Sequence, residues 1–164
     1  MLRVDRDTVR LPNGGQAGRE VVRHPGAVAI IALQDQQILL VRQYRYPIEQ
    51  ETLEIPAGKL DPDETPANCA LREMREEIGY RGTLEKIGTY YTSSGFTDEV
   101  MHLFLARDLV WDPLAADEDE FVDVVKIPWR EAVQMAVDNK LDDAKTILGI
   151  LLADSLKGDA LSGL

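Results

Sequence analysis

The 164-residue chain is predicted to fold as a single mixed α/β sandwich. Three observations carry that expectation. Two adjacent aliphatic runs, AVAIIAL (27–33) and QILLVRQYRY (37–46), have the composition of strands buried on both faces. A helix with both of its ends marked follows them between Thr65 and Gly79. Further strands then alternate with two more helical stretches, and no repeat or low-complexity tract interrupts the series.

In order, Leu2, Val4, Thr8, Val9 and Leu11 are strand-type residues. They break at Pro12-Asn13-Gly14-Gly15 and resume around Glu20-Val21-Val22, which predicts an N-terminal antiparallel hairpin. The two aliphatic runs are joined by Gln34-Asp35-Gln36. After Glu51 to Pro56, the segment Ala57 to Glu64 carries Gly58, Asp61, Pro62 and Asp63 and reads as a loop. Thr65-Pro66 offers a hydroxyl cap and a proline at the first helical position, so a helix should run from Ala67 to Ile78 and end at Gly79. Strands are expected at about 83–91 and 100–107 and at Phe121 to Val125. Pro128 should open a helix through about Asn139, and Asp143 to Leu156 a last one with Ile147, Leu148, Leu151 and Leu152 on its apolar face.

Composition narrows the function classes. With 18 Lys plus Arg against 29 Asp plus Glu, the formal net charge is −11, which argues against general nucleic-acid binding. No apolar run reaches the roughly 20 residues a membrane helix requires. Arg3, Asp5, Arg6 and Asp7 stand where a secretory signal would be apolar, and Cys69 is a lone cysteine, so a cytoplasmic protein is expected. His24 and His102 lie far apart without a partner pattern, which speaks against zinc. Cys69, Trp111 and Trp129 are expected to pack.

One stretch carries chemistry. Glu73, Glu76 and Glu77, at i, i+3 and i+4, project from one helix face, where like charges repel. A solvated face with an Arg72–Glu76 pair is the ordinary explanation of such a cluster. A hard cation such as Mg²⁺, held by carboxylates and bringing substrate phosphates with it, is the alternative. The longer spacing favours the cation: Gly58, five residues, Glu64, seven residues, then Arg72-Glu73-Met74-Arg75-Glu76-Glu77-Ile78-Gly79.

That spacing resembles the signature of the Nudix hydrolases: a glycine, five residues, a glutamate, seven residues, then REUXEEXGU with U a bulky apolar residue. Tyr80 departs from it, standing where an aliphatic residue is usual. The resemblance implies an α/β/α sandwich with a mixed central sheet, and hydrolysis of a nucleoside diphosphate linked to another group. It implies that Glu73, Glu76, Glu77 and the carbonyl of Ala57 hold Mg²⁺, with Mn²⁺ a possible substitute. Gly58, Glu64, Arg72 and Gly79 take structural parts, Glu64 and Arg72 as an ion pair.

Residues around the box narrow the resemblance. Arg42-Gln43-Tyr44-Arg45-Tyr46 before Leu53-Glu54-Ile55-Pro56-Ala57-Gly58, and Arg19-Glu20-Val21-Val22 before His24-Pro25-Gly26-Ala27, look like the ADP-ribose pyrophosphatase branch. The likeness runs from about Arg19 to Leu152. It implies cleavage of ADP-ribose to AMP and ribose 5-phosphate, with substrate contacts from Arg19, Arg45, Glu54 and Glu99. Glu118 and Glu120, in the acidic run 117–120, match the branch's E-x-E, one of them acting as general base.

It also implies a homodimer in which the hairpin of residues 1–22 is exchanged between subunits, the catalytic domain being 23–164. Ser94 replaces the branch's usual proline after Ser93, which opens a broader reading as a hydrolase of GDP-mannose or ADP-glucose. A non-catalytic ADP-ribose-binding module is a rival from another class, although such modules tend to lose box glutamates that are complete here. No nucleic acid or membrane partner is expected.

Overall fold

The computed structural model describes residues 3–115 and 121–160. Strands β1 (Arg3–Arg10) and β2 (Gln16–Arg23) form an antiparallel hairpin that is a sheet by itself, with Arg3 opposite Arg23 and Arg10 opposite Gln16. The main sheet is mixed and its axis is β3 (Ala27–Gln34). On one edge β3 runs parallel to β8 (Val100–Trp111), which pairs antiparallel with β7 (Tyr80–Tyr91).

The other edge of β3 is shared. Its last three residues pair with the start of β4 (Gln37–Arg45), while its first three pair with β6 (Ala57–Lys59). Beyond β3, β4 pairs with β5 (Gln50–Glu54) through Val41 to Arg45, and β9 (Asp123–Pro128) pairs with β4 along Gln37 to Arg42. The short strand β6 lies inside the segment expected to be a loop. Gly58 and Pro62 disfavour a free strand there, but β3 offers unpaired backbone groups that Ala57, Gly58 and Lys59 satisfy.

Alternation along β3 divides the core in two. Ala27, Ala29 and Ile31 face one cluster with Ile38, Leu40, Ile55 and Leu103, covered by α2 (Trp129–Val137) and α3 (Ala144–Ala160). Val28, Ile30 and Ala32 face the other with Leu39, Val41 and Phe104, covered by the helix that carries the glutamates. Ile30 and Ile31 are both fully buried, on opposite faces. Each such side chain contributes about 1.5–3 kcal/mol, and a one-residue slip would exchange every partner, so the register is strongly specified.

The glutamate helix differs from the expected single α-helix. Helix α1 (Pro66–Glu73) starts as its residues suggest, Thr65 Oγ1 accepting the Asn68 N–H at 3.3 Å, but Met74–Ile78 form a π-helical turn. Within this helix Glu76 is more open than Glu73, with 19 % of its side chain exposed against 9 %. Gly79 ends it at φ +76°, and a Cβ there would lie 2.3 Å from the Trp111 ring, so only glycine fits.

Three packing expectations need correction. Trp129 is buried, with Nε1 donating to Asp154 at 3.0 Å, but Trp111 is largely exposed, resting edge-on against Tyr80. In α3 the buried stripe is Thr146, Gly149, Ile150 and Ala153, while Leu148 and Leu151 are exposed. The helix is apolar on most sides, so its periodicity does not mark a face. Contact does: a Cβ on Gly149 would come within 3.1 Å of both Ile31 and Ile55, so the backbone of α3 lies directly on the sheet. The third concerns 121–125, where the strand starts only at Asp123 and Phe121 is exposed.

Candidate active site

Beside β6 and the first residue of β3, a cleft of 910 Å³ opens that draws on both helical layers. Glu73 and Glu76 reach it from the box helix, Ala57 and Gly58 from β6, Arg45 from β4, and Lys145 and Leu148 from α3.

The carboxylate side is built around Gly58. A Cβ at that position would fall 1.8 Å from Glu73 Oε1, so the glycine is what allows the carboxylate to lie against the strand. Glu77 is buried, and its Oε2 accepts the Ala57 N–H at 2.9 Å, joining the π turn to β6. Arg72 organises the rest. Its Nε and Nη2 donate to the two oxygens of Glu64 at 3.0 and 2.9 Å, and its Nη1 donates to Glu73 at 2.8 Å and Glu76 at 2.9 Å. The Arg72 guanidinium holds the Glu64 carboxyl down at about 2, and its own pKa is raised in return. Cys69 is fully buried beneath, and burial pushes its thiol up to about 12.

These donors suit a hard cation. They are carboxylate and carbonyl oxygens, with no thiolate or imidazole among them, and the missing side chain at Gly58 lets Glu73 lie against β6 next to Ala57. Among the described residues no three His, Cys, Asp or Glu side chains are grouped closely enough to hold a metal ion; the guanidinium of Arg72 lies between Glu73 and Glu76.

The cationic side centres on Glu54. Its side chain is 3 % exposed and accepts both Arg45 donors, Nε at 2.7 Å and Nη2 at 2.6 Å, with further contacts from Lys145 Nζ and Thr52 Oγ1. Lys145 also pairs with Asp143 at 3.0 Å, and the Thr146 hydroxyl accepts the Ile55 N–H at 2.9 Å, docking α3 onto the end of β5. Burial pushes the Glu54 carboxyl upward, but Arg45 and Lys145 outweigh it and hold it at about 2. A carboxyl lowered on folding stabilises the protein fully above its ordinary 4.5, and that contribution fades as pH falls toward 2. Glu54→Gln should therefore flatten the acid limb: between pH 6 and 3 its urea midpoint should fall by less than that of the wild type.

At the third wall the loop 92–99 meets the hairpin. Val22 N–H donates to the Phe96 carbonyl at 2.8 Å, and Asp98 binds both the His24 N–H at 2.8 Å and Arg23 at 3.2 Å. Glu99 lines the cleft, accepts from Thr92 Oγ1 at 2.6 Å and stands 3.6 Å from His24 Nε2. Ser94 is exposed at the turn.

The structure thus brings Ala57, Glu73, Glu76, Arg45 and Glu99 to one cleft. It puts Glu54 behind Arg45, off the lining wall, leaves the buried Glu77 off that wall as well, and sets Arg19 on the exposed hairpin, where its Nη1 donates to the Gly18 carbonyl at 2.8 Å. Glu118 and Glu120 lie outside the described residues. Lys145 and Asp143 line the cleft although no motif singles them out.

Comparison with known proteins gives the family. The chain is 45 % identical over 148 residues to the ADP-ribose pyrophosphatase of Bacillus subtilis (strain 168), covering 88 % of this chain and 80 % of that protein. It is 44 % identical to the methanol dehydrogenase activator of Bacillus methanolicus, covering 92 % and 83 %. Against a GDP-mannose pyrophosphatase of Yersinia enterocolitica serotype O:8 / biotype 1B (strain NCTC 13174 / 8081) the identity is 36 %, covering 68 % and 63 %. The crystal structure of an ADP compounds hydrolase superposes with a TM-score of 0.89 over 98 % of this chain and 89 % of that one, at 23 % identity, a likeness of fold. No helix among the described residues is long and apolar enough to cross a membrane. The Nudix domain model matches residues 22–148, the span that holds Glu73, Glu76, Arg45 and Lys145, and the chain belongs to the Nudix family.

Proposed function

We propose that the protein hydrolyses the diphosphate bond of ADP-ribose, with Mg²⁺, to AMP and ribose 5-phosphate. The observation that carries this reading is the meeting, in one 910 Å³ cleft, of the box residues Glu73 and Glu76 with Arg45 and Lys145. A diphosphate needs both: a hard cation held by carboxylates, and donors that clamp its oxygens. The relatives named ADP-ribose pyrophosphatase, in Bacillus subtilis and Mycobacterium tuberculosis, support the choice of substrate.

Glu73, Glu76, Glu77 and the Ala57 carbonyl would hold the ion, with Mn²⁺ a possible substitute. When bound, it supplies positive charge against the diphosphate and makes water a better nucleophile. Arg45, fixed by Glu54, presents its remaining amino group to a phosphate oxygen. Glu99 takes hydroxyl groups of the terminal ribose. Glu118 or Glu120 accepts the proton of the attacking water, whose oxygen goes to phosphorus as the diphosphate bond breaks. The site is proposed to work in the cytoplasm, on a small molecule, with neither nucleic acid nor membrane as partner.

The hairpin supports a homodimer with exchanged N-terminal strands. A two-stranded ribbon is marginal alone, and Val4 and most of both its faces are exposed. A second copy would cover it and carry Arg19 to its partner's cleft. The GDP-mannose reading keeps one specific support: Ser94 leaves the turn 93–97 without the proline that would fix it. A substrate panel of ADP-ribose, ADP-glucose and GDP-mannose, read by AMP or GMP release with Mg²⁺ or Mn²⁺ alongside the mass in solution, tests both. The highest kcat/KM is expected for ADP-ribose, in a particle of twice the 18.3 kDa chain. Preference for GDP-mannose, or a monomer with full activity, would overturn the corresponding part.

A further inference from the structure

We propose that Lys145 is a substrate-binding residue that forms, with Arg45, a two-cation cradle for the diphosphate, held ready by Glu54 and Asp143. The inference rests on the reading of the cleft as a nucleoside diphosphate sugar site.

One role of Lys145 is to help Arg45 neutralise the buried Glu54. Both donors of the Arg45 fork and the Thr52 hydroxyl are already on that carboxylate, so one full positive charge is matched to it without the lysine. A second cation on it, with only 16 % of its side chain exposed, adds a desolvation cost that charge neutralisation does not require. Asp143 balances that charge and fixes the lysine from the other side. Its Oδ2 accepts the Thr146 N–H at 2.9 Å, which anchors it at the start of α3, and stands 3.0 Å from Lys145 Nζ.

The arrangement has a direction. The Glu54 carboxylate lies behind the wall of the cleft, whereas Arg45 and Lys145 are on it. Two of the three ammonium hydrogens can be assigned to Glu54 and Asp143, leaving one; Arg45 uses Nε and Nη2 on Glu54, leaving Nη1 without a hydrogen-bond partner among the described residues. Two cationic donors from strands and helix thus remain on one wall. The charge of Glu77 acts on the Arg45 guanidinium, so this wall lies within electrostatic range of that box carboxylate. A diphosphate in the cleft would be met by the cradle on one side and, on the other, by the cation that the box carboxylates would hold. A diphosphate carries two negative charges and acceptor oxygens in the number this requires.

The test compares the wild type with Lys145→Met, which keeps the stem and removes the charge, and with Lys145→Arg. A charge-assisted hydrogen bond corresponds to roughly tenfold or more in affinity. KM for ADP-ribose should rise about tenfold in Lys145→Met with kcat within about threefold, and Lys145→Arg should recover most of the loss. Calorimetric titration with ADP, which has the diphosphate and no sugar to lose, should show the same weakening. Unchanged KM and ADP affinity in a folded Lys145→Met protein would overturn the proposal, as would a Lys145→Arg protein as impaired as Lys145→Met. Lys145→Gln replaces the methionine variant if that one does not fold. If the wild type releases no AMP from ADP-ribose, the substrate reading fails, while the ADP titration still decides on the cradle.

Discussion

Replacing Glu77 with glutamine is expected to lower Mg²⁺-dependent kcat/KM for ADP-ribose by at least about 100-fold, while the protein stays folded. The side chain is buried, and its Oε2 accepts the Ala57 N–H at 2.9 Å. Glutamine has the same shape and can still accept that hydrogen bond through its carbonyl, so the link between the π turn and β6 survives. What it loses is the charge. Groups one step removed from a metal cost 10–100-fold when altered, and a direct ligand should cost no less. Steady-state AMP release checks this beside a thermal melt. Near-normal turnover in a folded variant would sink the assignment of the box as the ion site.

Gly58→Ala should produce the second large loss, by a route that removes no functional group. The added methyl would sit 1.8 Å from Glu73 Oε1 and 1.9 Å from Cδ, inside any allowed contact. Glu73 must then withdraw from β6, and its bond to Arg72 Nη1 at 2.8 Å must be remade. Moving β6 instead would break its pairing with Val28 on β3. Overpacking of this kind costs about 1–3 kcal/mol, or about 2–4 °C in Tm per kcal/mol at this chain size. Activity should fall by at least about tenfold, since a ligand set displaced by an ångström no longer meets one ion. A double variant, Gly58→Ala with Glu73→Asp, shortens the carboxylate arm and should regain Tm. No such recovery would mean that the clash lies elsewhere.

How much could be read in advance depended on whether the controlling contact was local. Thr65 and Pro66 mark a helix start because the cap bond spans three residues, and Gly79 marks its end because a positive φ is a property of one residue. The two aliphatic runs became β3 and β4 because β-branched residues buried on both faces have few other places to go. Features set by distant neighbours were not legible. Ala57 to Lys59 is extended only because β3 stands beside it. Leu148 and Leu151 are exposed because Gly149 is where α3 touches Ile31 and Ile55. The π turn follows no local rule that its residues display. Lys145 is separated from Arg45 by nearly a hundred residues, and only docking of α3 through Thr146 brings them to one carboxylate.

The sharing of the cleft between the two faces of the sheet has a consequence for cooperativity. Because the cleft takes Glu73 and Glu76 from one helical layer and Asp143 and Lys145 from the other, neither layer can open without dismantling part of the binding surface. Ligand bound to the closed form alone stabilises it by about 2.7 kcal/mol at a hundred times Kd, and that gain is shared by both faces of the sheet. Occupancy therefore couples two cores that the alternation of β3 keeps apart, so that α3 and the box helix, which the sheet separates, should resist local opening together in the ligated protein.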